Sequence, residues 1–117
     1  MHPKQPLISE AVQILSLWKT NVSQQELLLG LTSGSLLENR EEIASPDEST
    51  TQTRAALLIA IDFDMCLSFP HAPEVARLWV HTANPFFDKR TPLEIMLSEG
   101  LPGIVSIHSS LNGLENW

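Results

Sequence analysis

The sequence predicts an all-α protein of about seven short helices, in which an N-terminal helix-turn-helix-like half packs with a C-terminal helical half. Three observations support this prediction. Apolar residues recur at helical spacing, recognisable start and stop signals separate the segments, and no segment makes a convincing strand. With 117 residues and 43% hydrophobic content, the chain can bury a core without disulfide bonds.

The first predicted helix starts near Pro6, a residue that suits the first turn of a helix. The pattern breaks after Trp18, at Lys19–Asn21. The apolar surface of this helix leaves room for a homodimer, although the sequence does not fix an oligomeric state. The residues of its apolar face are Leu7, Ile8, Ala11, Ile14, Leu15 and Trp18.

A short second helix is predicted to start at Ser23. The run from Ser23 to Glu26 fits a capping box, and Val22 can pack against Leu27 as a hydrophobic staple. Gly30 suits the left-handed residue that follows a helix end.

A third helix is predicted from Thr32 or Ser33 to about Ile43, because both residues are good N-caps. Two short helices around a glycine turn have the spacing of a helix-turn-helix. The same arrangement is common in helical proteins that never bind DNA, so the pattern alone does not establish a DNA-binding function.

Residues 45–53 form the predicted linker between a region at 1–44 and a second region at 54–117. The linker contains Pro46 and a Ser/Thr-rich run with no apolar residue, so we expect it to be exposed and mobile.

A central helix is predicted from Arg54 to about Phe69. Its first residues, Ala55–Ile61, could also form a strand, but the run is rich in Leu and Ala and continues into a helical pattern. The helix is apolar nearly all round, so we expect other helices to surround it. One face carries Ala55, Leu58, Ile59, Asp62 and Met65.

Proline residues define the C-terminal helices. Pro73 is predicted to start a helix that ends at Asn84–Pro85, because a residue before proline is disfavoured in a helix. Its predicted buried residues are Val75, Leu78 and Trp79. Thr91-Pro92-Leu93-Glu94 combines an N-cap, an N1 proline and a capping box, and Gly100 is the predicted end of that helix. A last helix is predicted from Pro102 to about Gly113.

The net charge of −7 lowers the expectation of nucleic acid as the main partner, because phosphate binding needs clustered cations. A basic protein partner suits this charge better. The longest apolar run has seven residues and no secretory signal is visible, so we predict a cytoplasmic protein without a membrane span.

No enzyme motif or metal site is expected, and neither is a cofactor or a small-molecule substrate. Cys66, His71, His81 and His108 lack the spacing of zinc ligands. Asp62 and Asp64 point to different sides of a helix, so we interpret them as solvated or hydrogen-bonded and not as an acid–base pair.

The segment from Ala76 to Met96 resembles the signature of the antitoxin Xre/MbcA/ParS C-terminal domain. The matching positions are Trp79, Asn84, Phe87, Pro92, Leu93 and Glu94. Leu17-Trp18 and Leu28-Leu29-Gly30 resemble landmarks of the Xre-like helix-turn-helix of the same family. The chain has Asp88-Lys89 where members usually carry Gly-Gly, so a loop of different shape is expected.

This resemblance implies an antitoxin of a bacterial type II toxin–antitoxin system that binds and occludes a RES-domain toxin, an enzyme that consumes NAD. The alternatives are a helix-turn-helix regulator of its own promoter and an orphan adaptor of the same fold. The expected toxin-binding residues are Asn84, Phe86, Phe87, Lys89, Arg90 and Trp117. Trp79, Pro92, Leu93 and Glu94 are expected to be structural anchors, with Phe87 packing inward.

Promoter binding would place Ser35 and Arg40 against DNA. The predicted third helix disfavours this function, because Arg40 is the one cation among three glutamates from Leu31 to Ile43. Trp117 is expected either to fold back onto the domain or to contact the partner.

Overall fold

The structure is a computed structural model. Six α-helices make up most of the residues that it describes. The described part comprises residues 5–36 and 47–114, with side chains at 7–36 and 47–111. It contains no strand, and the all-α prediction is confirmed. The helices are α1 Gln5–Leu17, α2 Val22–Leu29, α3 Glu48–Ser68, α4 Pro73–Ala76, α5 Pro92–Glu99 and α6 Leu101–Leu114. Two 3₁₀ segments, Arg77–His81 and Pro85–Phe87, lie between α4 and α5.

Helix α3 lies at the centre, with α1 and α6 packed along it and α5 packed on α6. The predicted apolar face of α1 is confirmed. This face packs into the core of the same chain, so it is not free to form a homodimer contact. The buried residues of α1 and its end are Ile8, Ala11, Leu15 and Trp18, and those of α3 include Ala55, Leu58, Ile61 and Met65.

Among the described residues, no single helix is long and apolar enough to cross a membrane. One pair, Glu48–Ser68 with Pro73–His81, reaches that length and composition only when joined across a bend of 117°.

Helix α2 starts earlier than predicted, because Asn21 and not Ser23 is its N-cap. Asn21 Oδ1 accepts a hydrogen bond from the Gln24 N–H at 2.8 Å, and Gln24 Oε1 accepts one from the Asn21 N–H at 2.9 Å. The capping box predicted from Ser23 to Glu26 is therefore wrong. Glu26 is buried, and its carboxylate accepts a hydrogen bond from the Leu36 N–H at 3.0 Å.

The predicted start of a third helix at Thr32 or Ser33 is also wrong. Residues 33–36 form a turn, in which Gly34 has a φ of +87° that a right-handed helix cannot contain. The remainder of that predicted helix, including Arg40, lies outside the described residues. The predicted helix end at Gly30 is confirmed, since this residue caps α2 with a φ of +69°.

Helix α3 starts at Glu48, six residues before the predicted start at Arg54. Asp47 caps it by accepting hydrogen bonds from the Thr50 hydroxyl at 2.7 Å and from the Thr50 N–H at 3.1 Å. These bonds lower the pKa of Asp47, the hydroxyl bond having the larger effect. Residues 48–53 are therefore helical and not part of an exposed linker, and Thr51 is fully buried. The division into two regions stays a prediction.

The segment after Pro73 buries a different face from the one predicted. Val75 and Leu78 are exposed by 45% and 59%, whereas Ala76 and Val80 are buried. Helix α4 ends after one turn and continues as a 3₁₀ segment, in which residues three apart share a side. Arg77 and Val80 thus share a side of this segment, and Arg77 forms an ion pair with Asp62 of α3.

Arg54, in the second turn of α3, lies close to the ends of two other helices. Its Nη1 donates a hydrogen bond to the Leu28 carbonyl at 3.5 Å, near the C-terminus of α2. A Cβ built at Gly30 would lie 3.1 Å from Arg54 Nε, and one at Gly100 would lie 3.8 Å from its Nη2. The guanidinium therefore lies at the negative ends of α2 and α5, where a cation is favourable.

Candidate protein-interaction site

The loop from Asn84 to Arg90, called the 84–90 loop below, is closed by hydrogen bonds from its first residue. Asn84 Oδ1 accepts from the Phe86 N–H at 2.8 Å, and the Asn84 carbonyl accepts from the N–H groups of Phe87 and Lys89 at 2.9 and 3.0 Å. The Asn84 N–H donates to the Arg90 carbonyl at 3.2 Å. Asn84, predicted to contact a partner, thus organises the loop from within.

Two consecutive residues of this loop have left-handed backbone conformations. Asp88 has a φ of +55° and Lys89 a φ of +66°, in the region that glycine adopts at no steric cost. These positions are the ones where the resembled family usually carries glycines. The hydrogen bonds of Asn84 within the loop and those of Arg90 to α5 hold both residues in this left-handed conformation.

Replacing Lys89 with glycine is expected to stabilise the protein. The substitution relieves a left-handed conformation that costs a non-glycine residue about 1–2 kcal/mol, and part of this gain is offset by the greater freedom of the unfolded chain. We expect the free energy of unfolding to rise by about 0.5–1 kcal/mol in urea titrations. Lys89→Ala is the matched control, because it removes the same charge and keeps the strain. An equal gain in both variants would assign the effect to charge.

The aromatic residues of the loop divide between the core and the solvent. Phe87 packs inward, as predicted, with its ring centroid 6.3 Å from that of Trp79 at an interplanar angle of 75°. Phe86 lies edge-on to Phe87 at 5.4 Å and is 62% exposed. The inner ring therefore supports an outer ring that faces the solvent.

The two cations of the loop have different environments. Arg90 Nη1 lies 3.1 Å from Glu99 Oε2, and its Nη2 donates to the Ser98 hydroxyl, so Arg90 ties the loop to α5. Lys89 is exposed at the turn of the loop. Of the five loop residues predicted to contact a partner, Phe86 and Lys89 are thus the ones that point outward most.

The predicted anchors lie where the loop enters α5. Pro92 and Leu93 are buried, and Thr91 and Glu94 form the predicted capping box. Glu94 Oε1 accepts a hydrogen bond from the Thr91 N–H at 2.9 Å, and Thr91 Oγ1 accepts one from the Glu94 N–H at 3.0 Å. The bond from the Thr91 N–H is the main reason that the pKa of Glu94 is lowered.

A buried polar network fixes the segment before the loop. Asp62 is 7% exposed, and its Oδ1 accepts hydrogen bonds from Trp18 Nε1 and Arg77 Nε, both at 2.9 Å. Its Oδ2 accepts a bond from Arg77 Nη2 at 3.1 Å, so the guanidinium binds both oxygens. These bonds raise the pKa of Arg77. His81 Nε2 also contacts the Trp18 carbonyl.

Part of this network was visible in the sequence. The helical pattern placed Asp62 on the buried face of α3, and a buried carboxylate requires partners. The solvated interpretation is wrong for Asp62, and the hydrogen-bonded one is confirmed. Asp64 lies 3.9 Å from His108 Nε2, on the side of α6.

Of the two residues predicted to bind DNA, the structure describes Ser35. Ser35 is 3% exposed, so the predicted contact of its side chain with DNA is wrong for this conformation. Arg40 and Trp117 lie outside the described residues. Within those residues, no group of three or more His, Cys, Asp or Glu side chains could hold a metal ion.

The described part of the chain is thus a helical scaffold that fixes one short loop with an exposed aromatic residue. Residues 68–116 match the family model of the antitoxin Xre/MbcA/ParS C-terminal toxin-binding domain. The match contains the whole 84–90 loop and its anchors. Comparisons with curated proteins and with solved structures found no match. The helix-turn-helix resemblance of the N-terminal half stays a prediction.

Proposed function

We propose that the protein is an antitoxin of a type II toxin–antitoxin system and that it binds and occludes a RES-domain toxin, an enzyme that consumes NAD. The match of residues 68–116 to a toxin-binding domain carries this proposal. The 84–90 loop supports it, because a preformed loop loses little conformational entropy when it binds.

In the proposed complex, Phe86 is the apolar anchor and Lys89 the neighbouring cation, while Asn84, Phe87 and Arg90 hold the loop in shape. Trp117, the residue that follows the matched region, is proposed as a second aromatic contact. Inhibition is steric and needs no catalytic residue of the antitoxin. The net charge of −7 suits a toxin whose cleft is basic, and we propose that the complex forms in the cytoplasm.

Coexpression with the product of the neighbouring toxin gene tests this function. We expect the two proteins to copurify, and we expect the antitoxin to restore both growth and cellular NAD in cells that express the toxin. Failure of both copurification and growth rescue would overturn the proposal. Rescue of growth without restored NAD would support the antitoxin function and would contradict a RES-type, NAD-consuming activity of the partner.

Substitution of Phe86 with serine is expected to weaken toxin binding by at least about 30-fold, which corresponds to the loss of one interface hot spot. Isothermal titration calorimetry with the purified toxin measures this change. Leu27→Ser is the matched control, because Leu27 is also 62% exposed but lies on α2, outside the matched region. Equal losses in both variants would contradict a role for the loop.

A further inference from the structure

A shallow apolar pocket lies where the C-terminal parts of α3 and α6 meet the segment that leads to the 84–90 loop. Its volume is about 70 Å³, roughly half that of a closed cavity that binds benzene, and it opens to the solvent. It can therefore hold one edge of an aromatic ring, with the other edge in water. Five of the residues that line it are apolar and the sixth is an exposed serine: Met65, Ser68, Phe69, Ala76, Trp79 and Leu111.

Helices α3 and α6 run in the same direction past this pocket. Asp64 of α3 lies 3.9 Å from His108 of α6, and about one turn later in both helices Ser68 and Leu111 line the pocket together. Helix α3 ends at Ser68, whereas α6 continues to Leu114. The chain that follows α6 therefore leaves this helix pair at the end where the pocket lies.

The way back to the pocket is short for the residues that follow α6. Leu114 lies about 4.5 Å along the helix axis beyond Leu111, which lines the pocket. Three further residues span at most roughly 10 Å, so Trp117 can reach the pocket after a reversal of the chain. Trp117 is also the one Phe, Trp or Tyr residue after Phe87 in the sequence.

The lining of the pocket suits an aromatic side chain that is held close by. The rings of Phe69 and Trp79 offer edge-to-face contacts, and the thioether of Met65 packs favourably against an aromatic ring. A tether of a few residues gives an effective concentration in the mM range, so that even a contact with a dissociation constant of about 1 mM is populated. A separate protein lacks this advantage, which favours an occupant from the same chain.

We propose that the pocket holds the side chain of Trp117 of the same chain while no toxin is bound, with the indole packed against Trp79. Trp79 also packs against Phe87, whose ring supports the exposed Phe86. The docked indole thus adds one ring to the aromatic support of the 84–90 loop.

The docking has a consequence for binding of the toxin. Because Trp117 is also a proposed toxin contact, the toxin has to displace its side chain from the pocket. This exchange rests on the proposed function, whereas the docking in the free protein does not.

Fluorine NMR of the full chain labelled with 5-fluorotryptophan, without toxin, tests the docking. The chain contains three tryptophans, and Trp117→Phe identifies the resonance of Trp117 by its loss. We expect this resonance to lie away from that of free 5-fluorotryptophan and to have a reduced solvent isotope shift between H₂O and D₂O, because the ring is partly buried. Neither value should change when the protein is diluted, since the contact lies within one chain.

Phe69→Ser removes an aromatic wall of the pocket and should move the Trp117 resonance to the position of free 5-fluorotryptophan. Val75→Ser is the matched control, because Val75 is 45% exposed against 48% for Phe69 and does not line the pocket. Circular dichroism verifies that both variants stay folded. The docking is overturned by a wild-type Trp117 resonance at the free position, by one that moves on dilution, or by equal effects of the two variants.

Addition of the toxin to the labelled protein tests the exchange separately. We expect the Trp117 resonance to leave its position in the free protein when the complex forms. A resonance that keeps this position in the complex would overturn the exchange. Failure of the complex to form would instead contradict the proposed function, since the docking is measured without toxin.

Discussion

Replacing Asp62 with alanine is expected to lower the free energy of unfolding by about 3–5 kcal/mol, the usual loss when one partner of a buried ion pair is removed. The truncation leaves the Arg77 guanidinium without its carboxylate in a site where the Arg77 side chain is only 19% exposed. It also leaves the indole N–H of the fully buried Trp18 without an acceptor.

Urea unfolding followed by circular dichroism measures this loss as a shift of the midpoint. Asp64→Ala is the matched control, because Asp64 lies on the same helix and makes a contact of 3.9 Å at a partly exposed site. Its removal should cost no more than about 1 kcal/mol. Similar losses for the two variants would show that the network around Asp62 contributes no more than a surface pair.

The position of this network explains why the loss of Asp62 should also affect the matched region, residues 68–116. Trp18 follows α1, Asp62 lies on α3, and Arg77 starts the 3₁₀ segment that leads to Trp79 and the 84–90 loop. The matched region therefore rests on two helices that precede it in the chain. We infer that its loop keeps its shape only while α1 and α3 are folded against it.

Local signals in the sequence predicted most helix ends of the C-terminal half. The Thr91–Glu94 capping box and the end at Gly100 are formed by residues within a few positions of one another, so composition alone identifies them. The same reasoning failed at α2, where Asn21 and Ser23 both suit an N-cap and the Gln24 side chain selects the first. At α3, the Ser/Thr-rich run after Asp47 was interpreted as a linker although Asp47 is a good N-cap.

Contacts between distant segments could not be predicted. Trp18 and Asp62 are 44 residues apart, and no periodicity indicates which buried carboxylate an indole will reach. For the loop, the sequence predicted an inward Phe87, which the structure confirms. It did not predict that Arg90 is bound to Ser98 and Glu99, because that pairing depends on where the loop meets α5.

The close approach of α5 and α6 depends on Gly103, a residue that no sequence pattern singled out. A Cβ built at Gly103 would lie 2.6 Å from the Ile95 carbonyl oxygen and 3.0 Å from the Glu99 Cβ. The first contact is with backbone, which cannot rotate away as a side chain would. The glycine thus sets the distance between the two helices that carry Leu93, Met96, Ile104 and Ile107 into the core.

Gly103→Ala is therefore expected to destabilise the protein by about 1–3 kcal/mol, the usual cost of inserting a methyl group into a packed contact. In an exposed helix the same change would stabilise by about 0.5–1 kcal/mol, so the sign of the effect tests the packing directly. Thermal and urea unfolding measure it, with Ser106→Ala at an exposed position of α6 as the control that isolates helix propensity. A stabilised Gly103→Ala variant would show that α5 and α6 can separate at little cost.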